Sequence, residues 1–84
     1  MLRVLFFGSL AEQVGMAELE LDWLADWRTV HDVMAGLHSS HPDLARQLDQ
    51  RRGLLIAVNQ RVAKPATVIA DDDELAFLPP VTGG

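Results

Sequence analysis

The N-terminal stretch Met1–Phe7, with the sequence MLRVLFF, decides the fold because it predicts a strand suited to the centre of a sheet. Successive side chains of a strand point to opposite faces. Both faces are apolar here, with Leu2, Val4 and Phe6 on one and Leu5 and Phe7 on the other. Only one face of a strand can meet the core of a small two-layer domain. The second apolar face therefore needs a separate explanation.

A short helix and a half-exposed strand are predicted next. Ser9 and Glu12 fit a capping box, with Ser9 as the N-cap, and Gly15 ends the helix. The segment Glu18–Trp23 alternates acidic and apolar residues, which predicts a strand with Leu19, Leu21 and Trp23 facing inward.

The main helix is expected to begin after Thr29, whose side chain suits the N-cap position. Its core stripe has helical spacing and consists of Val30, Val33, Met34 and Leu37. Gly36 lies inside this pattern and weakens it slightly. Pro42 interrupts the helix and suits the first position of another short one, whose apolar side carries Leu44 and Leu48.

Apolar segments separated by polar turns complete the chain. The predictions are a buried strand at Leu54–Val58, a turn at Asn59–Arg61, an irregular strand region at Val62 and Thr67–Ile69, a polar turn at Asp71–Asp73 and a last strand at Glu74–Leu78. The order of elements predicts an α+β fold: a mixed sheet with one main helix on one face, plus short helices. The first and last strands are expected to lie side by side at its centre.

Composition excludes several classes of function. The 84 residues include no cysteine, which excludes a disulfide framework, a thiolate metal site and a catalytic thiol. Seven Lys and Arg residues stand against twelve Asp and Glu residues, so we expect no nucleic-acid partner. No apolar run approaches the ~20 residues of a membrane span, and the N-terminus lacks a signal-peptide pattern. We therefore expect a cytoplasmic protein with no membrane partner.

The C-terminus is the candidate reactive group. We expect a domain over residues 1–79 and a flexible tail over residues 80–84, which ends in Gly83 and Gly84. Two residues without Cβ atoms allow another protein to close tightly around the backbone. The Gly84 carboxylate is a poor electrophile until it is activated, for example by adenylation, after which a sulfur nucleophile can convert it to a thiocarboxylate. The alternative is a frayed terminus without function.

Three segments carry a family resemblance. The ending FLPPVTGG at residues 77–84 closely resembles the terminal signature of the MoaD family, the ubiquitin-like sulfur carriers that form the small subunit of molybdopterin synthase. VLFF at residues 4–7 and AVNQ at residues 57–60 resemble that family at matching places. The resemblance covers the whole chain and implies a ubiquitin-like β-grasp fold.

The resemblance also implies an activity. A partner of the ubiquitin-activating type, which holds the ATP and magnesium, adenylates Gly84. The terminus receives sulfur as a thiocarboxylate, ultimately from a persulfide donor, and gives it to cyclic pyranopterin monophosphate to build the dithiolene of molybdopterin. The chain would thus be a subunit and sulfur-donating cosubstrate of a sulfurtransferase. It would bind no cofactor or metal itself, and the catalytic pocket would lie mostly on the large subunit.

Specific residues follow from the same resemblance. Gly84 bears the sulfur and Gly83 is the slender neck. The stalk inserted into the large subunit consists of Pro79, Pro80, Val81 and Thr82. Family positions that contact the large subunit, in a heterotetramer of two small and two large subunits, correspond to Phe7, Val62 and Leu78. By strand alternation Leu78 points away from the core, although a short helix or loop covering these residues is an alternative.

The sequence departs from the family pattern at two places. Asp72 occupies a position that is often glycine, and Asp tolerates a left-handed backbone better than most residues. Phe77 and Leu78 stand where two phenylalanines are common, which leaves the contact apolar.

Other interpretations remain open at this point. The chain can serve as a sulfur carrier for thiamine or amino-acid biosynthesis, or be a ubiquitin-like binding module without chemistry. The histidines, the acidic turn and the two tryptophans suggest a metal site, a calcium site and a base-stacking platform, respectively. We interpret them instead as surface residues, a solvated turn and packing residues.

Overall fold

The computed structural model describes residues 1–80, and Val81–Gly84 lie outside the described part. These described residues form five strands and three helices: β1 (Leu2–Phe6), α1 (Ser9–Val14), β2 (Glu18–Leu21), α2 (Val30–Ser40), α3 (Pro42–Asp49), β3 (Leu55–Val58), β4 (Arg61–Val62) and β5 (Glu74–Leu78). This order confirms the predicted α+β fold with one main helix and two short ones.

The strands form one mixed sheet in the order β2-β1-β5-β3-β4. The first and last strands are parallel neighbours at its centre, with Val4 opposite Leu75 and Phe6 opposite Phe77, as predicted. The remaining pairs are antiparallel. The parallel pairing places the carboxyl ends of β1 and β5, where Phe7 and Leu78 lie, at the same edge of the sheet.

The core lies on one face of the sheet only. Leu2, Val4 and Phe6 of β1 are buried, together with Leu75 and Phe77 of β5. The Phe6 and Phe77 rings stack with centroids 5.8 Å apart. All three helices contribute buried side chains to the same cluster: Leu10, Val30, Val33, Leu37, Leu44, Ala45 and Leu48. The opposite face of the sheet therefore has no helix packed against it in the described part of the chain.

The N-cap of α1 was predicted wrongly. The cap is Gly8, not Ser9, and no side chain donates or accepts a capping hydrogen bond. Gly8 has φ 58° and ψ −142°, a backbone conformation available to glycine, so the chain turns out of β1 one residue earlier. The predicted end of the helix at Gly15 is confirmed, with φ 81°.

Main helix α2 begins after Thr29, as predicted, and the structure adds that Thr29 and Asp32 form a capping box. The Thr29 side chain accepts from the Asp32 backbone N–H, and the Asp32 carboxylate accepts from the backbone N–H groups of Arg28 and Thr29. These backbone hydrogen bonds, first from Arg28 and then from Thr29, lower the pKa of Asp32. The cap therefore fixes the start of α2 through a charged group on the surface.

Two strands are shorter than predicted. β2 ends at Leu21, and Trp23 lies in the following loop, where its ring meets that of Trp27 edge-on at 5.4 Å. Trp27 is buried, so the interpretation of these rings as packing residues is confirmed. The segment Thr67–Ile69 forms only an isolated bridge between Val68 and Thr29.

The prediction of a buried strand at Leu54–Val58 was also wrong. Leu55 is exposed, and the rest of β3 is only partly buried. The reason is that Ile56 and Val58 pack against the core, whereas Leu55 and Ala57 face the uncovered side of the sheet.

Candidate functional site

The uncovered face of the sheet carries an apolar groove of about 390 Å³. We call it the sheet groove. Its lining comes from four neighbouring strands, β1, β5, β3 and β4, and the turns next to them, and consists of Leu5, Phe7, Leu55, Ile56, Ala57, Gln60, Val62, Glu74, Ala76 and Leu78. The second apolar face of Met1–Phe7 is thus part of a larger apolar surface.

Strand pairing brings the three predicted contact residues together. The Phe7 backbone N–H donates to the Phe77 carbonyl at 3.1 Å, which places Phe7 beside Leu78 on the neighbouring strand. Leu78 lies opposite Leu55 in the β5–β3 register, and Val62 lies opposite Ala57 in the next pair. One groove therefore contains side chains from every strand except β2.

Exposure shows that these side chains are accessible. Val62 is 82% exposed and Phe7 44%, and Leu78 is half-buried between its neighbours. Within residues 1–80 neither a helix nor a loop covers them, which excludes the alternative that they belong to a covered core. Exposed apolar side chains in contact with one another are typical of interaction surfaces.

Several lining residues were missed in the sequence. Leu5 was recognised as lying on the outer face, but Leu55, Ala57 and Ala76 were not assigned to a contact surface. Their signal is the alternation within β3 and β5, since Leu55 and Ala57 are two residues apart. Because both faces of these strands are apolar, the sequence itself does not show which residues face the core and which face away from it.

The polar edge of the groove is held by a tight turn. Asn59 and Gln60 have φ 49° and φ 69°, left-handed values that suit a two-residue hairpin. The Asn59 backbone N–H donates to the Glu74 carbonyl at 2.9 Å, and its Oδ1 accepts from the Glu74 N–H at 3.0 Å. Asn59 thus ties the β3–β4 hairpin to β5 and keeps Gln60 at the rim.

The root of the tail leaves the sheet beside this groove. Pro79 is half-buried and Pro80 is exposed. Both lie along a cleft on the helical side, whose remaining lining is Ser9, Leu10, Gln13, Gln50, Arg51 and Arg52. Four predicted site residues, Val81, Thr82, Gly83 and Gly84, lie outside the described residues.

The acidic turn has a structural role. The N-terminal ammonium of Met1 pairs with Asp71 at 2.7 Å and with Asp72 at 3.1 Å. Hydrogen bonds to these two carboxylates, Asp71 first, raise the pKa of the N-terminal ammonium. Asp73 accepts from the Ala70 backbone N–H. Asp72 has φ 69°, in agreement with its place at a position that is often glycine.

Residues 1–80 contain no group of three or more His, Asp or Glu side chains placed to hold a metal ion. They also contain no buried polar or charged residue. No helix among them is long and apolar enough to cross a membrane. The candidate site in the described residues is the sheet groove, whose exposed apolar side chains lie close to the root of the tail.

Known proteins are similar to this chain in sequence and in architecture. The model of the ThiS family matches residues 4–84. Two molybdopterin synthase sulfur carrier subunits, from Escherichia coli and Haemophilus influenzae, are 38% and 36% identical over 84 residues, with full coverage of both chains.

Solved structures agree on the fold. SAMP1 from Haloferax volcanii has a TM-score of 0.76 and 31% identity, covering 99% of this chain and 98% of its own. One chain of a complex of subunits 1 and 2 of molybdopterin-converting factor from Helicobacter pylori has a TM-score of 0.63 at 21% identity, covering 99% and 97%. These likenesses confirm the ubiquitin-like β-grasp fold. With its family match over nearly its whole length, the chain belongs to the ThiS family.

Proposed function

We propose that this chain is the sulfur carrier subunit of molybdopterin synthase. The observation that carries the proposal is the position of the open sheet groove beside the root of a tail that ends in Gly83 and Gly84. A sulfur carrier must dock on its partner and must also place its reactive C-terminus in the partner's active site. The full-length likeness to two curated carriers of that name supports the same function.

The proposed chemistry takes place on the main chain. A carboxylate oxygen of Gly84 attacks the α-phosphate of ATP, and pyrophosphate leaves. The terminal sulfur of a persulfide then attacks the acyl carbon and expels AMP, and a thiol cleaves the sulfur–sulfur bond to leave the thiocarboxylate. We assign ATP and magnesium to the adenylating partner, because this chain offers no phosphate-binding loop.

The proposed second step is sulfur transfer on the large subunit. The thiocarboxylate sulfur attacks a side-chain carbon of the substrate, cyclic pyranopterin monophosphate, and displaces an oxygen substituent from that carbon. Water then hydrolyses the resulting thioester, which leaves the sulfur on the pterin and restores the carrier's carboxylate. Two such transfers supply the two sulfur atoms of the dithiolene. The carrier presents the sulfur in a pocket of the large subunit. We assign the remaining catalytic groups to the large subunit. We place both steps in the cytoplasm.

The sheet groove is the proposed docking site for the large subunit. Phe7, Val62 and Leu78 offer apolar contact area on the uncovered face of the sheet. Leu78 is followed directly in the chain by Pro79 and Pro80, so docking at the groove would bring the start of the tail close to the partner. A helix-free sheet face of this kind also leaves room for the partner. A chain of the same fold lies in the Helicobacter pylori two-subunit complex. The expected assembly has two small and two large subunits.

Intact mass spectrometry tests the first step. After incubation with the adenylating enzyme, ATP and a persulfide donor, we expect the mass change for one oxygen replaced by sulfur at the C-terminus. Deletion of Gly84 should abolish that change and leave the thermal melt unaltered. An unmodified full-length chain, under conditions that modify a curated carrier, would exclude a carrier role.

Capture of the large subunit identifies the pathway. We expect the chain to retain the molybdopterin synthase large subunit on an affinity column. Retention of a thiazole-forming or cysteine-forming enzyme instead would assign the carrier to thiamine or amino-acid biosynthesis.

A further inference from the structure

Two glycines lie against the two prolines at the root of the tail. An ideal Cβ atom at Gly53 would lie 3.0 Å from Cβ and 3.6 Å from Cγ of Pro80. One at Gly8 would lie 3.3 Å from Cγ and 3.7 Å from Cδ of Pro79. Each proline ring therefore occupies space that a side chain at the facing glycine would need.

The sheet topology explains why these glycines meet the prolines. Gly8 directly follows the β1 region, and Gly53 precedes β3. β1 is parallel and β3 antiparallel to β5, so the turns containing the two glycines flank the carboxyl end of β5 from either side. Pro79 and Pro80 leave the sheet between them.

This arrangement restricts the direction in which the chain leaves the sheet. The proline rings fix φ at two consecutive residues. Gly8 and Gly53 have φ 58° and φ 70°, so their turns can approach the rings with a backbone that few other residues adopt. Residues 81–84 span at most about 14 Å. Because this span is short, a change in the direction of the chain at Pro80 would also change the position of the Gly84 carboxylate.

We propose that Gly8 and Gly53 are positioning residues for sulfur transfer. They pack against Pro79 and Pro80 and so set the direction in which the tail enters a partner's pocket. This inference rests on the proposed carrier function. A Cβ atom at residue 53 would push Pro80 by a few tenths of an ångström, since 3.0 Å is below normal carbon–carbon contact.

The chain offers a matched control for the strain of a positive φ. Gly15 has φ 81°, and a Cβ atom there would meet nothing within 4 Å. Gly15→Ala therefore has the backbone strain of Gly53→Ala without the contact with Pro80. The pair Gly15→Asn and Gly53→Asn repeats the comparison with a residue that tolerates the left-handed region, in case the alanine variants fold poorly.

The test is single-turnover sulfur transfer from each thiocarboxylated variant to cyclic pyranopterin monophosphate on the large subunit, at increasing carrier concentration. The Gly53 variants should lower the saturating rate constant about fivefold to tenfold relative to the matched Gly15 variants. The concentration that gives half of the saturating rate should change by less than about twofold, because the sheet groove is intact. Loss of folded protein would instead reduce the amplitude.

The outcomes separate this inference from the proposed function. If the unsubstituted chain transfers no sulfur, the proposed function fails. If it transfers sulfur and the Gly53 and Gly15 variants have equal rate constants, the contact between residue 53 and Pro80 has no effect on sulfur transfer and the inference is wrong. A lower rate constant in the Gly53 variants alone supports it.

Discussion

An ideal Cβ atom at Gly36 would lie 2.5 Å from Cζ2 of Trp27, so the indole ring packs directly on the backbone of α2. Glycine in a helix interior normally costs about 1 kcal/mol relative to alanine. Here the missing side chain makes room for a buried tryptophan, which explains a glycine that interrupts an otherwise regular helical pattern.

Gly36→Ala should therefore destabilise the protein in spite of the better helix propensity of alanine. Forcing a methyl group against Trp27 should lower the free energy of unfolding by about 1–3 kcal/mol, measured by urea denaturation. Ser39→Ala is the control, because Ser39 is exposed on the same helix. Equal or greater stability of Gly36→Ala would contradict the packing described for Trp27.

Asp72 tests the left-handed turn before β5. Its φ is 69° and its side chain is 85% exposed, so the backbone dominates the effect of a substitution. Asp72→Val should lower the free energy of unfolding by about 1–2 kcal/mol, because a β-branched residue resists this conformation. Asp72→Gly should stay within about 0.5 kcal/mol of the parent. Equal stability of the Val and Gly variants in thermal melts would contradict a left-handed backbone conformation at residue 72.

The pH dependence of stability should report the cap of α2. The pKa of Asp32 is lowered in the folded state by hydrogen bonds from the Arg28 and Thr29 N–H groups. The carboxylate's stabilisation is therefore fully present above its unfolded pKa and is lost as the pH falls through the lower, folded pKa. Asp32→Asn should lose stability at neutral pH and depend less on pH in the acid range. Parallel stability curves for both proteins, from melts at a series of acid pH values, would contradict this role.

A charge in the sheet groove should weaken docking. Leu78→Asp and Val62→Asp should each lower the affinity for the large subunit by about tenfold or more, because a carboxylate would be buried without a partner. Val62 is 82% exposed, so its variant should fold normally. Leu24→Asp is the matched control, since Leu24 is 49% exposed and lies outside the groove. Calorimetric affinities that are equal for all three variants would remove the groove from the interface.

The sequence predicted the architecture because its strongest patterns are local. The alternation of Glu18–Trp23, the stripe on α2 and the stop at Gly15 follow from backbone geometry. The central pairing of β1 with β5 followed from their shared apolarity. The two errors have different causes. The backbone conformation of Gly8 makes it the cap in place of Ser9, and the uncovered face of the sheet leaves Leu55 exposed although its segment is uniformly apolar.

The candidate site was predicted only in part. Phe7, Val62 and Leu78 were assigned by resemblance, and the structure places them in one groove. The roles of Gly36 and Gly53 were not visible, because Trp27 and Pro80 reach them only through the folded chain. The assignments of Val81–Gly84 remain predictions.

The proposed function requires that the Gly84 carboxylate carries sulfur to a pterin. The direct measurement is product formation when the thiocarboxylated chain is mixed with the molybdopterin synthase large subunit and cyclic pyranopterin monophosphate. We predict that the dithiolene of molybdopterin forms and that the carrier returns to its carboxylate mass. A thiocarboxylate that keeps its sulfur while the pterin stays unchanged, with a curated carrier active in parallel, would contradict the claim.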